Sequence, residues 1–294
     1  MSEKKTKTTG LPRRAFLKGS SYGILAGATL LSAAGAFTLK NKKPLLRPPG
    51  ALKESTFLAS CIKCGQCLQV CPPQVIELAG LDQGFGIGTP YITPSKGACI
   101  LCSGLPCVLS CPTGALDHHI SEGKEAHMGL AVISSPNTCL SIKGESDIPT
   151  RISRIENTQG HEKEIQLGYL LDSSLKKLDG QQKTLWLEKF KLSEFNKDSH
   201  LVISKTTLHQ SQLWIWVKEF LLTSSLSKEA CTICLSECPI KDEAPIVFKS
   251  KEASNTAAIP IIQKSCVGCG MCEMLCPTEK TSITIIPQAK WKES

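Results

Sequence analysis

The stretch CIKCGQCLQVCP, residues 61–72, decides the fold. Its cysteines, Cys61, Cys64, Cys67 and Cys71, stand at the spacing C-x2-C-x2-C-x3-C, and Pro72 follows the last of them. Further along, CVGCGMCEMLCP at 266–277 repeats the pattern with Cys266, Cys269, Cys272, Cys276 and then Pro277. CILCSGLPCVLSCP at 99–112 varies it: Cys99, Cys102, Cys107 and Cys111 precede Pro112, with a middle gap of four residues. CTICLSECP at 231–239 has only Cys231, Cys234 and Cys238 before Pro239. Cys139 is the one cysteine outside these sets. Assigning it to the short set divides the sixteen cysteines into four groups of four.

Disulfides, zinc and iron–sulfur clusters all use cysteine at such density, so spacing must decide. Disulfide scaffolds are small and do not repeat C-x2-C-x2-C-x3-C-P. Zinc knuckles pair C-x2-C units without third and fourth cysteines at these offsets. A 4Fe–4S cube needs four thiolates in tetrahedral array, and a tight C-x2-C-x2-C loop wraps three of its corners. Gly65 and Gly270 lie inside the tight loops, where a missing side chain lets the backbone pass close to sulfide. The reading is four 4Fe–4S clusters, with all sixteen cysteines as ligands.

The 294-residue chain suits two domains or one large one. Aromatic residues make up only 5% of it, and metal binding can replace part of a core because it contributes folding free energy directly. The net charge is +8, but six basic residues and Glu3 in the first 36 residues account for +5 of it. The remaining 258 residues carry +3 and show no basic stripe with interleaved aromatics, so nucleic-acid binding is not expected. No C-x2-C-H occurs, which argues against covalent haem. GFGIGTP (84–90) reads as a turn and His118-His119 as a solvated loop pair. There is no acid–base pair, nucleophile elbow or pterin-binding signal. The chain reads as wiring and not as an enzyme.

The N-terminus reads as a leader. PRRAFLKG (12–19) precedes the small-residue apolar run YGILAGATLLSAAGAF (22–37). Arg13-Arg14 with Phe16, Leu17 and Lys18 matches a twin-arginine export signal, with cleavage expected after Ala36. That route carries folded proteins, which suits clusters inserted before export to the periplasm. An uncleaved leader would tether the protein to the membrane, although the run is short for a full span.

RPPGALKESTFLASCIKCGQCLQVCP (47–72), GTPYI (88–92), CILCSGLPCVLSCPTGALD (99–117) and MGLAVISSPNTCLSIKG (128–144) resemble the MauM/NapG-type ferredoxins. The resemblance covers roughly residues 11–144 and 229–290. It implies an exported polyferredoxin with four 4Fe–4S clusters, the electron-transfer subunit of a quinol dehydrogenase-type complex. The implied partners are a membrane polyferredoxin (a quinol dehydrogenase subunit) and a periplasmic cytochrome or reductase, in a nitrate reductase-type chain. Membrane association would come through the partner or an uncleaved leader. The alternative is a maturation or assembly factor for an exported redox enzyme, of methylamine dehydrogenase type or another. In ferredoxins of this pattern the fourth cysteine of a run ligates the neighbouring cluster. That implies the quartets Cys61/Cys64/Cys67/Cys111, Cys71/Cys99/Cys102/Cys107, Cys238/Cys266/Cys269/Cys272 and Cys139/Cys231/Cys234/Cys276. The chain departs from the family in one large way: residues 145–228, without cysteine, separate Cys139 from Cys231.

The expected fold is α+β. Two dicluster ferredoxin-like domains carry an inserted helix-rich segment, after an N-terminal twin-arginine signal. The expected organisation is a signal peptide at 1–36, a linker at 37–54, a dicluster domain at 55–143, the insertion at 145–228, and a second dicluster segment at 229–290 completed by Cys139. VIELA (75–79), GLAVI (129–133), PIVFK (245–249) and SITII (282–286) read as strands, and helices are expected to start at the Cys-Pro junctions. In the insertion, KTLWLEKFKLSEF (183–195) and QSQLWIWVKEFLL (210–222) have helical spacing, and HLVISK (200–205) reads as a strand. Trp186, Trp214 and Trp216 are expected to form the insertion's own core, with a partner-docking face as the alternative.

Overall fold

The computed structural model describes residues 44–81, 86–189, 211–250 and 256–288. The expected signal peptide, the start of the linker and the HLVISK strand lie outside the described residues. The chain divides into two compact units, residues 1–43 with 80–87, and residues 44–79 with 88–294. Of the first unit only residues 80, 81, 86 and 87 are described. Every strand and α-helix among the described residues belongs to the second unit.

Six short strands form three separate antiparallel ribbons. β1 (Ile76–Leu78) pairs with β2 (Pro90–Ile92), with Ile76 opposite Ile92. β3 (Gly129–Ile133) pairs with β6 (Ile283–Pro287), and β4 (Ile246–Ser250) with β5 (Ala258–Ile262). Four of these strands cover the stretches read from their apolar β-branched runs. β2 and β5 each carry a proline (Pro90, Pro260), which marks edge positions and conceals a strand from a propensity reading.

The β3–β6 ribbon crosses the expected boundary at residue 143. GLAVI belongs to the sheet of the C-terminal segment, and one apolar core draws residues from both halves, from Phe57 and Val108 to Val267 and Leu275. Two glycines permit the approach. A Cβ on Gly129 would lie 2.3 Å from the Ile286 carbonyl oxygen, and one on Gly268 (φ +69°) would lie 2.3 Å from the Gly129 backbone. In that close approach the N–H groups of Met128 and Gly129 both donate to the Val267 carbonyl, at 2.9 and 3.2 Å.

Each cysteine run folds round a single helical turn: α2 (Gln66–Gln69), α3 (Pro106–Leu109), α9 (Ile233–Ser236) and α10 (Met271–Met274). These turns start inside the motifs and end just before the fourth cysteine, which corrects the expectation that helices start at Cys-Pro. The residue before a proline is pushed out of helical geometry, so the turn must stop there. Gly65 (φ +74°) and Gly270 (φ +94°) cap α2 and α10 in the left-handed region. No atom lies within 4 Å of a Cβ built on Gly65, so backbone conformation accounts for that glycine here. Leu105 (φ 43°) holds the same place before α3.

Residues 145–228 contain four helices: α5 (Ile148–Asn157), α6 (Gly160–Lys177), α7 (Gly180–Lys189) and α8 (Ser211–Thr223). The remaining helices are α1 (Glu54–Ser60) and α4 (Leu140–Lys143). Helices α5 to α8 enclose a second core of Ile152, Ile155, Leu170, Leu171, Trp186, Val217 and Leu221. Trp186 is fully buried there, its ring 5.8 Å from Trp216 and 5.6 Å from Phe220. Trp186 is thus a core residue, and Trp214 and Trp216 pack against the same core. The two ends of the segment meet where the Cys231 N–H donates to the Glu145 carbonyl at 2.9 Å, so the cysteine scaffold closes beneath it.

The glycine geometry sets a test. Gly268→Ala combines left-handed strain with a backbone clash, so it should cost well over ~2 kcal/mol. Gly104→Ala (φ +69°, open space) bears the strain alone and should cost about 1 kcal/mol. Thermal unfolding of the purified variants measures both.

Candidate iron–sulfur sites

Four cavities open against the short helical turns, and each is walled by one of the expected quartets. Site I has Cys61, Cys64, Cys67 and Cys111 round about 350 Å³ of space, floored by Phe57, Ala115 and Leu116. Site II has Cys71, Cys99, Cys102 and Cys107 round about 340 Å³, with Ile76, Ile92 and Leu105. Site III has Cys238, Cys266, Cys269 and Cys272 round about 320 Å³, with Ile246, Val267 and Ile285. Site IV has Cys139, Cys231, Cys234 and Cys276 round about 400 Å³, with Ile133, Leu140 and Ile283. Three walls of each come from one run, or from one run and Cys139, and the last from the run that serves the neighbouring site.

Among the described residues, no three His, Cys, Asp or Glu side chains converge as a single bare ion requires. The cysteines ring a space and not a point. Four cysteine sulfurs lining one apolar cavity fit the donor set that a 4Fe–4S cluster takes.

The thiols are held in an environment hostile to bare thiolate. Burial, reinforced by neighbouring cysteines, pushes Cys67 up to about 11 and Cys107, Cys234 and Cys269 to about 12. Cys99, Cys231 and Cys272 are raised well above the ordinary thiol range for the same reason, and Cys102 and Cys238 are raised as well. Cys111 is the exception. Burial pushes it up, but hydrogen bonds centred on Leu116 and Thr113 outweigh that and lower it. A cationic iron core held by these cysteines would reverse that preference by compensating the thiolates directly.

Two residues to which cysteine spacing does not point repeat at equivalent places. Thr113 and Thr278 each stand two residues after a fourth cysteine, in C-P-T. Their hydroxyls lie 3.8 Å from the Cys111 Sγ and 3.2 Å from the Cys276 Sγ. A backbone N–H joins each, from Leu116 to Cys111 at 3.5 Å and from Ser282 to Cys276 at 3.4 Å. Hydrogen bonds to ligand sulfur tune cluster potentials. The repeated C-P-T is the signal that could have found them. His118 and His119 are exposed, and His119 bonds its neighbour Asp117 at 2.8 Å, as a solvated loop pair would.

The sites follow one another in a row. Cys67 of site I lies close enough to Cys107 of site II to help raise its thiol. The Cys99 N–H of site II donates to the Cys269 carbonyl of site III at 3.1 Å. Cys234 and Cys272 line both site III and site IV. At the free end of site I, Cys64 is the one cysteine of the sixteen that is exposed.

Family descriptions match at both ends of this row: a 4Fe–4S dicluster domain over residues 60–115 and a 4Fe–4S binding domain over 259–279. The fold and sites therefore define an iron–sulfur protein of the ferredoxin type, built for electron transfer. The methylamine utilization ferredoxin-type protein MauM of Paracoccus denitrificans is 26% identical over 285 residues, 94% of this chain and 90% of its own. The ferredoxin-type protein NapG of Escherichia coli is 39% identical over 134 residues, 45% of this chain and 58% of its own. NapG of Haemophilus influenzae is 40% identical over 149 residues, 49% of this chain and 53% of its own. The chain is thus similar to ferredoxin-type proteins of both the MauM and the NapG kind. No solved structure matches it.

Thiol burial gives a prediction for metal-free protein. Iodoacetamide should label Cys64 and Cys111 first and Cys231 and Cys272 last, as peptide mapping would show. Raised thiols stay protonated when folded. Their contribution to stability is therefore present below about 9 and lost as pH rises through about 11 to 12, so metal-free protein should unfold progressively over that alkaline range.

Proposed function

We propose that each of the four quartets holds a 4Fe–4S cluster and that the chain is a four-centre electron wire. The observation that carries this is the succession of cysteine-walled cavities, I to II to III to IV: Cys67 acts on Cys107 between the first two, the Cys99–Cys269 hydrogen bond joins the second to the third, and Cys234 and Cys272 line both the third and the fourth. The bound clusters would supply one-electron storage. The protein's own residues hold the sulfurs in place, exclude water with apolar walls, and modulate the sulfurs through the Thr113, Leu116, Thr278 and Ser282 hydrogen bonds.

The wire passes electrons from a membrane quinol-oxidising partner, a polyferredoxin of the quinol dehydrogenase type, to a periplasmic cytochrome or reductase. A nitrate reductase-type chain is the favoured setting, in keeping with the higher identity to the NapG proteins over just under half of the chain. The twin-arginine leader takes the protein to the periplasm, and membrane association comes through the partner or an uncleaved leader. Site I is the better placed to exchange electrons with another protein, because exposed Cys64 allows close approach. A pure assembly factor would need no continuous row of buried sites, and the row favours electron transfer over that alternative.

Crossed ligation makes the proposal specific. Cys238 lies in the run of Cys231 and Cys234 but walls site III. Cys238→Ala should remove the site III cluster, lowering iron from about sixteen atoms per chain to about twelve, while site IV persists. Iron and sulfide analysis with EPR on anaerobically purified protein reads this out. Loss confined to site IV would contradict the crossing.

A further inference from the structure

The helices of residues 145–228 reach one cluster site directly. Arg154, in the last turn of α5, donates from Nη1 to the backbone carbonyl of Cys276 at 2.8 Å. Cys276 is the site IV wall residue whose sulfur also receives the Ser282 N–H. Arg154 is half-buried, and among the described residues no carboxylate pairs with it. Other charged residues lie near Cys276 in the chain: half-buried Glu273, which accepts the Ile285 N–H at 2.7 Å, and exposed Glu279 and Lys280. Buried Asp147, which acts on Cys231, is paired with buried Arg151 at 3.4 Å, and Arg151 is held in turn by Ser173 at 2.7 Å. Lys177 lies 3.5 Å from the Thr232 hydroxyl with its head in solvent. Arg154 is thus a half-buried cation bonded to the backbone of buried Cys276.

We propose that Arg154 raises the reduction potential of site IV. This rests on the four-cluster reading above. One electron passed to site IV, from site III or from a chemical reductant, adds one negative charge inside a low-dielectric pocket. Burial alone opposes that charge. A fixed guanidinium beside the ligand backbone favours it, and more strongly than the same charge in water. An arginine suits the task because it stays protonated at any working pH. The consequence for the middle helices is that they are a working part of the redox chain: through α5 they set the potential of the last centre. Arg154 acts through Cys276 and is a positioning residue with an electrostatic effect.

The test is an EPR-monitored redox titration of the mature, cluster-loaded protein with dithionite as reductant, comparing wild type with Arg154→Gln. The expected result is a downward shift of one midpoint potential, three unmoved, and full iron content. Four unshifted potentials at full iron would overturn the proposal, and so would selective loss of about four irons, since that would make Arg154 a structural clasp. Arg154→His gives the same reading within one folded protein. One potential should fall between about pH 5.5 and pH 8.5, beyond the drift of wild type, as the imidazole loses its charge. An invariant potential there would count against Arg154 even if the glutamine variant failed to fold. Wild type lacking a fourth centre would instead refute the four-cluster reading, and the proposal with it.

Discussion

Everything in this molecule depends on gathering cysteine sulfurs, four at a time, in places where a bare thiolate is unwelcome. Burial raises nine of these sixteen thiols, among them Cys67, Cys107, Cys234 and Cys269. The quartets make sense when a multinuclear cation sits among them, and then the same burial shields the centre from water and sets its potential. The modest share of aromatic residues fits this. Apolar residues form the walls of the four cavities.

The second constraint is continuity. An electron row requires adjacent sites, and the chain achieves adjacency by crossing itself. Fourth cysteines wall neighbouring sites, β3 is lent to the C-terminal sheet, and the Cys99–Cys269 hydrogen bond joins the two cysteine-rich halves. Gly129 and Gly268 are the permissive points of that join, where any side chain would push the strands apart. The middle helices fold round their own tryptophan-centred core and touch the row at its last site. Among the described residues no helix is long and apolar enough to cross a membrane.

Much of this is legible in the residues. Cysteine spacing is a geometric statement about one object, so it identifies the four sets, and the family pattern supplies the crossing that groups the cysteines round the four cavities. What spacing does not reach is anything set by tertiary packing. β2 and β5 escape a propensity reading because Pro90 and Pro260 sit in them. The helical turns fall one step earlier than expected because Cys-Pro is a stop and not a start. The 18-residue α6 escapes notice because charged and polar residues blur its apolar face. Arg154 carries no local signal, since its partner lies 122 positions away. The order of the sites likewise comes only from three-dimensional neighbours.

Whether one chain carries four working centres is measured most directly by a stoichiometric reductive titration of the anaerobically purified protein, counting electrons taken up per chain by absorbance and EPR spin quantification. Four electrons per chain are expected, with spin coupling between adjacent centres on full reduction. Two electrons or fewer would contradict the four-centre wire.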